Sequence, residues 1–342
     1  MTAAEGADAI VVAGAPQIPG LVLRRWRAAG DEAAIAALHN RCYETDRIPI
    51  RETTEDIAND LRHLVGFDPA QDLVLGELDG RLVLEARTNR LPKLDGTVTL
   101  RSMCWIDPVV RGRGLGRAIL RHQEVRLRAA TLLADPPYAP RHYRTFNAQT
   151  EVTGIALVES EGYRHVRTFF EMECNLEGDL PERLLPAGLE VRPVPDEATA
   201  RVALAADNEA FRDHWGHREL TDDDIAGFLA RPDQDLTLWM VGWDGAEVVG
   251  LVVPTIRAAE NAMLGRRRGW LDTVATRRPW RGRGLATALM ARSMAALQAR
   301  GMTTAGLGVD SENPTGALAI YERLGFSVTQ RYLAFDKPYE AA

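Results

Sequence analysis

Two short runs carry the clearest chemistry in the sequence. Arg111, Gly112, Arg113, Gly114, Leu115 and Gly116 return almost unchanged as Arg281, Gly282, Arg283, Gly284, Leu285 and Ala286. Each run follows an apolar stretch that reads as a strand and precedes one with helical spacing. After the second run, Ala286, Met290, Met294 and Leu297 recur at the helix period. At a helix N-terminus the first N–H groups lack intrahelical partners and the dipole is positive. Glycines let that backbone approach a phosphate with no Cβ in the way. Arg281 and Arg283 add charge for further phosphate oxygens, so the arrangement suits a pyrophosphate. A dinucleotide fold would set its glycines early in a βαβ unit, with an acid about 20 residues on. A P-loop would end in Gly-Lys-Ser/Thr, which is absent. A glycine turn without a ligand is the bland alternative, and two copies in equivalent places argue against it.

The elements that must hold these turns repeat as well. Leu21-Val22-Leu23-Arg24 matches Leu189-Glu190-Val191-Arg192. Asp79-Gly80 matches Asp244-Gly245, and Glu161-Gly162-Tyr163 matches Leu324-Gly325-Phe326. A near-constant offset across both halves means a duplicated domain rather than a small repeat unit. Pro and Gly clusters at 177–181 and 186–188 mark a connector. The expected organisation is a flexible leader over 1–20, a first domain over 21–177, a linker over 178–188 and a second domain over 189–338. Each half begins with a strand and then a helix, at 31–42 and 196–211. A strand pair closed by an Asp-Gly turn follows, at 237–243 and 247–253 in the second half. Next come a strand (97–106 and 270–276), the glycine turn and its helix. In the second half a strand at 305–309 and a helix at 314–324 close the pattern, the helix stopping at Gly325. This order predicts an α/β fold in each half, a mixed and mainly antiparallel sheet flanked by helices.

Composition sets outer bounds. The chain has 342 residues, 46% of them hydrophobic and 26% charged, which is ordinary for globular domains and enough for two cores. A net charge of -7 gives no basic stripe for nucleic acid. Cys42, Cys104 and Cys174 are odd in number and widely spaced, so no disulfide framework or zinc set is expected, and buried free thiols are the plain reading. Glu5 and Asp8 precede a short apolar patch, unlike a secretory signal. No run approaches the roughly 20 apolar residues of a membrane span. The expectation is a cytoplasmic protein, monomer or homodimer, needing neither metal nor membrane.

Arg-x-x-Gly-x-Gly/Ala between a strand and a helix resembles the CoA-pyrophosphate motif of the GNAT superfamily of N-acetyltransferases. Val309 to Asn313, followed by Ala319-Ile320-Tyr321-Glu322-Arg323-Leu324-Gly325-Phe326, is similar to that family's strand–Asn–helix–Tyr–Gly–Phe segment. The resemblance covers nearly all of residues 21–338. As a tandem pair the chain is most similar to mycothiol synthase-like two-domain acetyltransferases. The resemblance implies two GNAT folds and acetyl-CoA, or another short acyl-CoA, as co-substrate. It implies transfer to a primary amine of a small molecule by direct attack in a ternary complex. By the same resemblance Tyr321 serves the leaving thiolate and Asn313 the CoA arm. The backbone of Val274, Ala275 and Thr276 holds the pantetheine.

The base is read from the residues. Asp272 lies two residues before Val274, on the same strand face; its bland reading is a carboxylate paired with Arg266, Arg267 or Arg268. Glu209, Asp213, His214, His217 and Glu219 are rivals, and Phe211, His214, Trp215 and His217, with Glu209, are the candidate acceptor contacts. The runs 266–268 and 277–278 read as solvated loop charge or as neighbours of the CoA ribose phosphate. In the first half Ser102 falls at the position of Asp272, Thr150 at Asn313 and Val158 at Tyr321. The phosphate turn survives there and the proton-handling groups do not, so the first domain is expected to be catalytically silent while retaining the means to bind CoA. Two other functions remain open. One is an inactive CoA-binding sensor or scaffold, against which Tyr321 argues. The other is a Fem-type transferase using aminoacyl-tRNA, against which two CoA turns and the acidic balance argue.

Overall fold

The structure is a computed structural model and describes residues 8–27, 30–93, 95–134, 139–313 and 315–340. In chain order the elements are β1 (Leu21–Arg25), α1 (Glu32–Thr45), α2 (Thr54–His63), α3 (Pro69–Asp72), β2 (Leu73–Leu78), β3 (Arg81–Pro92), β4 (Val98–Ile106), α4 (Leu115–Ala134), β5 (Arg141–Ala148), α5 (Val152–Ser160) and β6 (Arg164–Asn175). They continue as β7 (Glu190–Arg192), α6 (Glu197–Phe211), α7 (Asp222–Leu229), β8 (Met240–Asp244), β9 (Glu247–Thr255), α8 (Ala258–Leu264), β10 (Arg268–Thr276), α9 (Leu285–Ala299), β11 (Thr304–Asp310), α10 (Ala317–Arg323) and β12 (Ser327–Pro338).

The chain forms two compact units, Met1–Val166 with Leu333–Ala342, and Arg167–Tyr332. This division corrects the expected one. Residues 167–177 belong to the second unit and the C-terminal tail to the first, because strand pairing outweighs sequence order. From Thr304↔Asn175 to Asp310↔Phe169, β6 lies antiparallel against β11. Phe335 is fully buried with Tyr143 and Tyr163 of the first unit. The flexible leader is corrected too. Residues 8–20 are structured: Ile10 donates its N–H to Leu23 at 2.9 Å, and Val12 and Ile18 are buried. Residues 1–7 lie outside the described residues.

The first unit orders its strands β1-β2-β3-β4-β5, with β4 and β5 parallel and the others antiparallel. The second orders them β6-β11-β10-β9-β8-β7, with β10 and β11 parallel. Helices cover both faces. In the second unit α9 buries Leu285, Leu289, Met290, Met294 and Leu297 against Val249, Val252, Leu271 and Leu307. On the other face α6 sets Ala200, Ala203 and Leu204 against Val241, Leu251 and Val253. β9 supplies both faces, its alternation reset at Val249, which the β8–β9 register skips. Side-chain caps start α6 (Asp196 to the N–H of Thr199) and α7 (a Thr221–Asp224 capping box). The last helix begins at Ala317 rather than at 314; Pro314 lies outside the described residues.

Candidate functional site

The two glycine turns are the same object built twice. Gly112 and Gly282 both have φ +74, and Gly114 and Gly284 both have φ +88, a left-handed conformation that favours glycine. A 3-10 turn precedes each, at Pro108–Val110 and Arg278–Trp280. Leu115 and Leu285, each 1% exposed, anchor the helices that follow. Gly284 starts α9 without a capping side chain, so the first-turn N–H groups face outward. A Cβ at Gly282 or Gly284 would meet nothing within 4 Å; the space over the turn is open, as a pyrophosphate cradle requires.

The leading arginines do other work than expected. Arg281 donates to the carbonyls of Thr276 at 3.0 Å and Ala210 at 2.7 Å. Arg111 donates to the carbonyl of Ile106 at 2.7 Å and pairs with both oxygens of Asp46. Both guanidiniums staple the end of a strand to the turn. Arg113 and Arg283 are exposed.

Beside each turn two parallel strands part. Pairing of β10 with β11 stops at Trp270↔Gly306, and pairing of β4 with β5 at Arg101↔Arg144. Arg277 donates its N–H to Val249 of β9 at 2.9 Å. Peptide groups alternate along a strand, so the N–H groups of Val274 and Thr276 point the other way, into the gap. Between Leu271 and Thr273 the β9–β10 register shifts and leaves Asp272 as a bulge, a device that re-aims a side chain next to a site.

In the second unit a cavity of about 710 Å³ fills this gap. Its lining takes in Gly282, Gly284, Ala286, Asn313 and Tyr321 together with Phe169, Glu171, Trp270, Asp272 and Tyr332. Val274, Ala275, Thr276, Arg281 and Leu285 also line it, as do Phe211, His214, Trp215 and His217. Glu209 does not. It pairs with Arg277 at 2.7 Å, because it lies two residues before Phe211 and so on another side of α6.

Tyr321 is 6% exposed and is one of the residues that line the cavity. Burial pushes its pKa up to about 12, so it stays a proton donor. The amide of Asn313 holds its own turn, accepting from the N–H of Thr315 at 2.8 Å, and lies 3.2 Å from Nε2 of His214. Burial lowers the pKa of both His214 and His217, which keeps the two imidazoles neutral near pH 7.

Asp272 reaches the cavity with both oxygens engaged. Oδ1 accepts from Arg257 at 2.9 Å; Oδ2 accepts from Thr255 Oγ1 at 3.0 Å and faces Arg231 at 3.1 Å. Its arginine partners are thus Arg231 and Arg257 rather than any of 266–268. Within that run Arg268 is fully buried, not solvated. Arg277 and Arg278 pair with Glu209 and Asp213. Cys42 and Cys174 are buried as expected, whereas Cys104 is exposed, because it lies on β4 past the point where β5 leaves it.

Sequence reasoning missed Phe169, Glu171, Arg323 and Tyr332 at this cavity. A signal existed in β6, where Phe169, Glu171 and Glu173 alternate with the apolar Phe170, Met172 and Cys174. That pattern marks a strand with one polar face. In the first unit Val158, at the place of Tyr321, is buried and apolar, and Leu157 would lie 3.0 Å from a Cβ on Gly116.

Known proteins resemble this arrangement. The acetyltransferase (GNAT) family matches residues 202–326. A protein named mycothiol acetyltransferase from Streptomyces avermitilis is 31% identical over 232 residues, 67% of this chain and 69% of the relative. The crystal structure of a GCN5-related N-acetyltransferase from Sphaerobacter thermophilus has a TM-score of 0.68 at 26% identity, covering 94% of this chain and 96% of the other. A tandem GNAT protein from the clavulanic acid biosynthesis pathway shares the fold, with a TM-score of 0.66 at 17% identity over 94% and 99% of the two chains.

Proposed function

The chain belongs to the acetyltransferase (GNAT) family, and from that premise we propose that its second unit transfers an acetyl group from acetyl-CoA to the primary amine of a small molecule. The observation that carries the reading is the cavity of the second unit. Its lining joins the uncapped start of α9 at Gly284, Tyr321 and a set of aromatic and acidic side chains, Phe169, Glu171, Trp270 and Asp272. In this reading Arg283 and the N–H groups after Gly284 hold the pyrophosphate. The gap-facing N–H groups of Val274 and Thr276 hold the pantetheine arm and polarise the thioester carbonyl. The amine attacks that carbonyl directly, the C–S bond breaks, and Tyr321 donates a proton to the departing sulfur. Phe211, His214, Trp215 and His217 border the acceptor. Asp272, tied to two arginines, shapes the wall.

The first unit keeps the turn and the parted strands, but has Val158, Ser102 and Thr150 where the second has Tyr321, Asp272 and Asn313. We propose that it binds CoA through Arg113 and the turn from Gly112 to Gly116, and does not catalyse. Among the described residues no helix is long and apolar enough to cross a membrane.

Calorimetry of acetyl-CoA on the intact protein, Gly114→Glu and Gly284→Glu tests both parts. Two sites, one lost in each variant, are the expected result, with acetylation lost only in Gly284→Glu. Activity lost in Gly114→Glu and spared in Gly284→Glu reverses the assignment. No binding at all sinks the reading and revives aminoacyl-tRNA as donor.

A further inference from the structure

We infer that Glu171 receives the ammonium group of the acceptor and takes its proton, an inference that rests on the acyltransfer reading and makes the acceptor a cationic amine. Glu171 stands on β6, in a stretch that precedes the second sequence repeat, yet it lines the cavity of the second unit. Alternation along β6 puts Phe169, Glu171 and Glu173 on one face, while Met172 and Cys174 enter the core.

Its ladder partner on β11 is Gly308. Paired residues of an antiparallel ladder hold their side chains about 5 Å apart. Gly308 has none, is the only exposed residue of β11, and a Cβ built there would meet nothing within 4 Å. A notch therefore opens beside the Glu171 carboxylate, and it is continuous with the cavity.

Three carboxylates reach the cavity, and Glu171 is the least committed. Asp310 gives both oxygens to Arg167, at 2.8 and 2.9 Å, and accepts the N–H of Glu312. Asp272 is held by Arg257, Thr255 and Arg231. Glu171 gives Oε1 to Arg268 at 2.6 Å, while Oε2 meets the Tyr332 hydroxyl at a long 3.4 Å. The charged groups facing it are Arg268 on β10, Glu173 on its own strand and, farther off, Arg266. Arg268 is shared with Glu173 and with Glu260 at 3.7 Å. Its charge does not hold Glu171 down, and burial raises the Glu171 pKa above the usual carboxylate range. Such a carboxylate is a better proton acceptor near neutral pH. Phe169 and Tyr332 add aromatic walls of the kind that favour a cation.

The protons balance. The acceptor enters as R–NH3+ and passes one proton to Glu171, becoming the free amine. Nitrogen attacks the thioester carbon and the C–S bond breaks. The nitrogen loses its second proton as sulfur gains one through Tyr321. Glu171 returns its proton to water, leaving the amide, CoA thiol and one H+.

The test is acetylation of spermidine and glucosamine by the whole protein, followed as CoA thiol release against pH, with acetyl-CoA affinity measured in parallel. Glu171→Gln is expected to lower kcat by about 100-fold or more, leave acetyl-CoA affinity unchanged, and recover toward alkaline pH as free amine replaces ammonium. Glu171→Asp is expected to keep the pH profile at reduced kcat. Gly308→Val fills the notch with no backbone strain, and is expected to lower kcat/KM for the amine alone. Unchanged turnover and pH profile in Glu171→Gln, or full turnover in Gly308→Val, overturns the inference while leaving the acyltransfer reading standing. Acetyl-CoA binding without acetylation of either amine overturns the cationic-amine assignment. Wild-type protein that does not bind acetyl-CoA overturns the acyltransfer reading itself.

Discussion

Arg281 and Thr276 are joined across the glycine turn: the guanidinium donates to the threonine carbonyl at 3.0 Å, closing the strand end onto the loop it feeds. Arg111 and Ile106 repeat the contact at 2.7 Å in the first unit. Arg281→Ala removes this bond and the one to Ala210. It is expected to cost about 1–3 kcal/mol of stability and to weaken acetyl-CoA binding by misplacing the turn. Arg283→Ala is expected to weaken binding without a stability cost, since the side chain is exposed. Thermal melts beside calorimetry separate the two. Equal effects of both variants would refute the division of labour.

Asp207 is buried on α6 with Oδ1 unpartnered, and burial raises its pKa from 3.8 to about 7. Below pH 3.8 the carboxyl is neutral in both states and costs nothing. Between 3.8 and about 7 only the unfolded state ionises, so stability falls as pH rises. Above 7 the full penalty remains, at most about 4 kcal/mol by linkage. Asp207→Asn should therefore stabilise the protein at pH 8 and make no difference near pH 4. Denaturant unfolding at the two pH values checks this, and a variant less stable at pH 8 would contradict it.

His39 is fully buried between Glu52, at 2.6 Å from Nδ1, and Glu85, at 3.2 Å from Nε2, and it stacks on Trp105 at 3.9 Å. Burial pulls its pKa down, but the two carboxylates outweigh this and the net shift is upward. Its stabilising contribution is complete below the unfolded value near 6.5 and fades as pH rises through the higher folded value. His39→Phe removes the cation shared by the buried Glu85, which keeps Arg87 at 3.1 Å, and the part-buried Glu52, and is expected to cost up to about 3 kcal/mol. That cost should shrink at alkaline pH. Melting curves from pH 6 to 9 provide the measurement.

A fragment starting at Leu189, where the sequence repeat begins, lacks the β6 ladder and the buried Met172, Cys174 and Leu176. Each such side chain contributes roughly 1.5–3 kcal/mol by burial, and a whole domain has only about 5–15. The fragment is expected to show no cooperative thermal transition by circular dichroism. A sharp transition in it would contradict the assignment of residues 167–175 to the second unit.

Much of this protein is readable along the chain, because its signals are local. Left-handed glycines at 112, 114, 282 and 284, an Asp-Gly turn between apolar runs and a helix-period stripe after Gly284 each depend on a few neighbouring residues. Their repetition carries the duplication, the mixed sheet and the two glycine turns, while the place of Tyr321 follows from the resemblance to the family segment that ends in Gly325-Phe326. What the chain order could not carry was pairing at long range. Strand partnership is decided by hydrogen bonding and burial over more than a hundred residues, and it assigned β6 to the second unit and the C-terminal tail to the first. The same pairing brought Glu171 to the cavity and set it opposite Gly308. Side-chain partners were equally out of reach: the residue type Arg cannot say whether its guanidinium faces a phosphate or, as in Arg281, a carbonyl of its own strand. Asp272 reads as a base or as a partner of the neighbouring Arg266, Arg267 or Arg268, whereas the fold sets Arg231 and Arg257 against it. Local conformation is written in neighbouring residues, whereas the charge and contacts of a buried group depend on whatever the fold places against it.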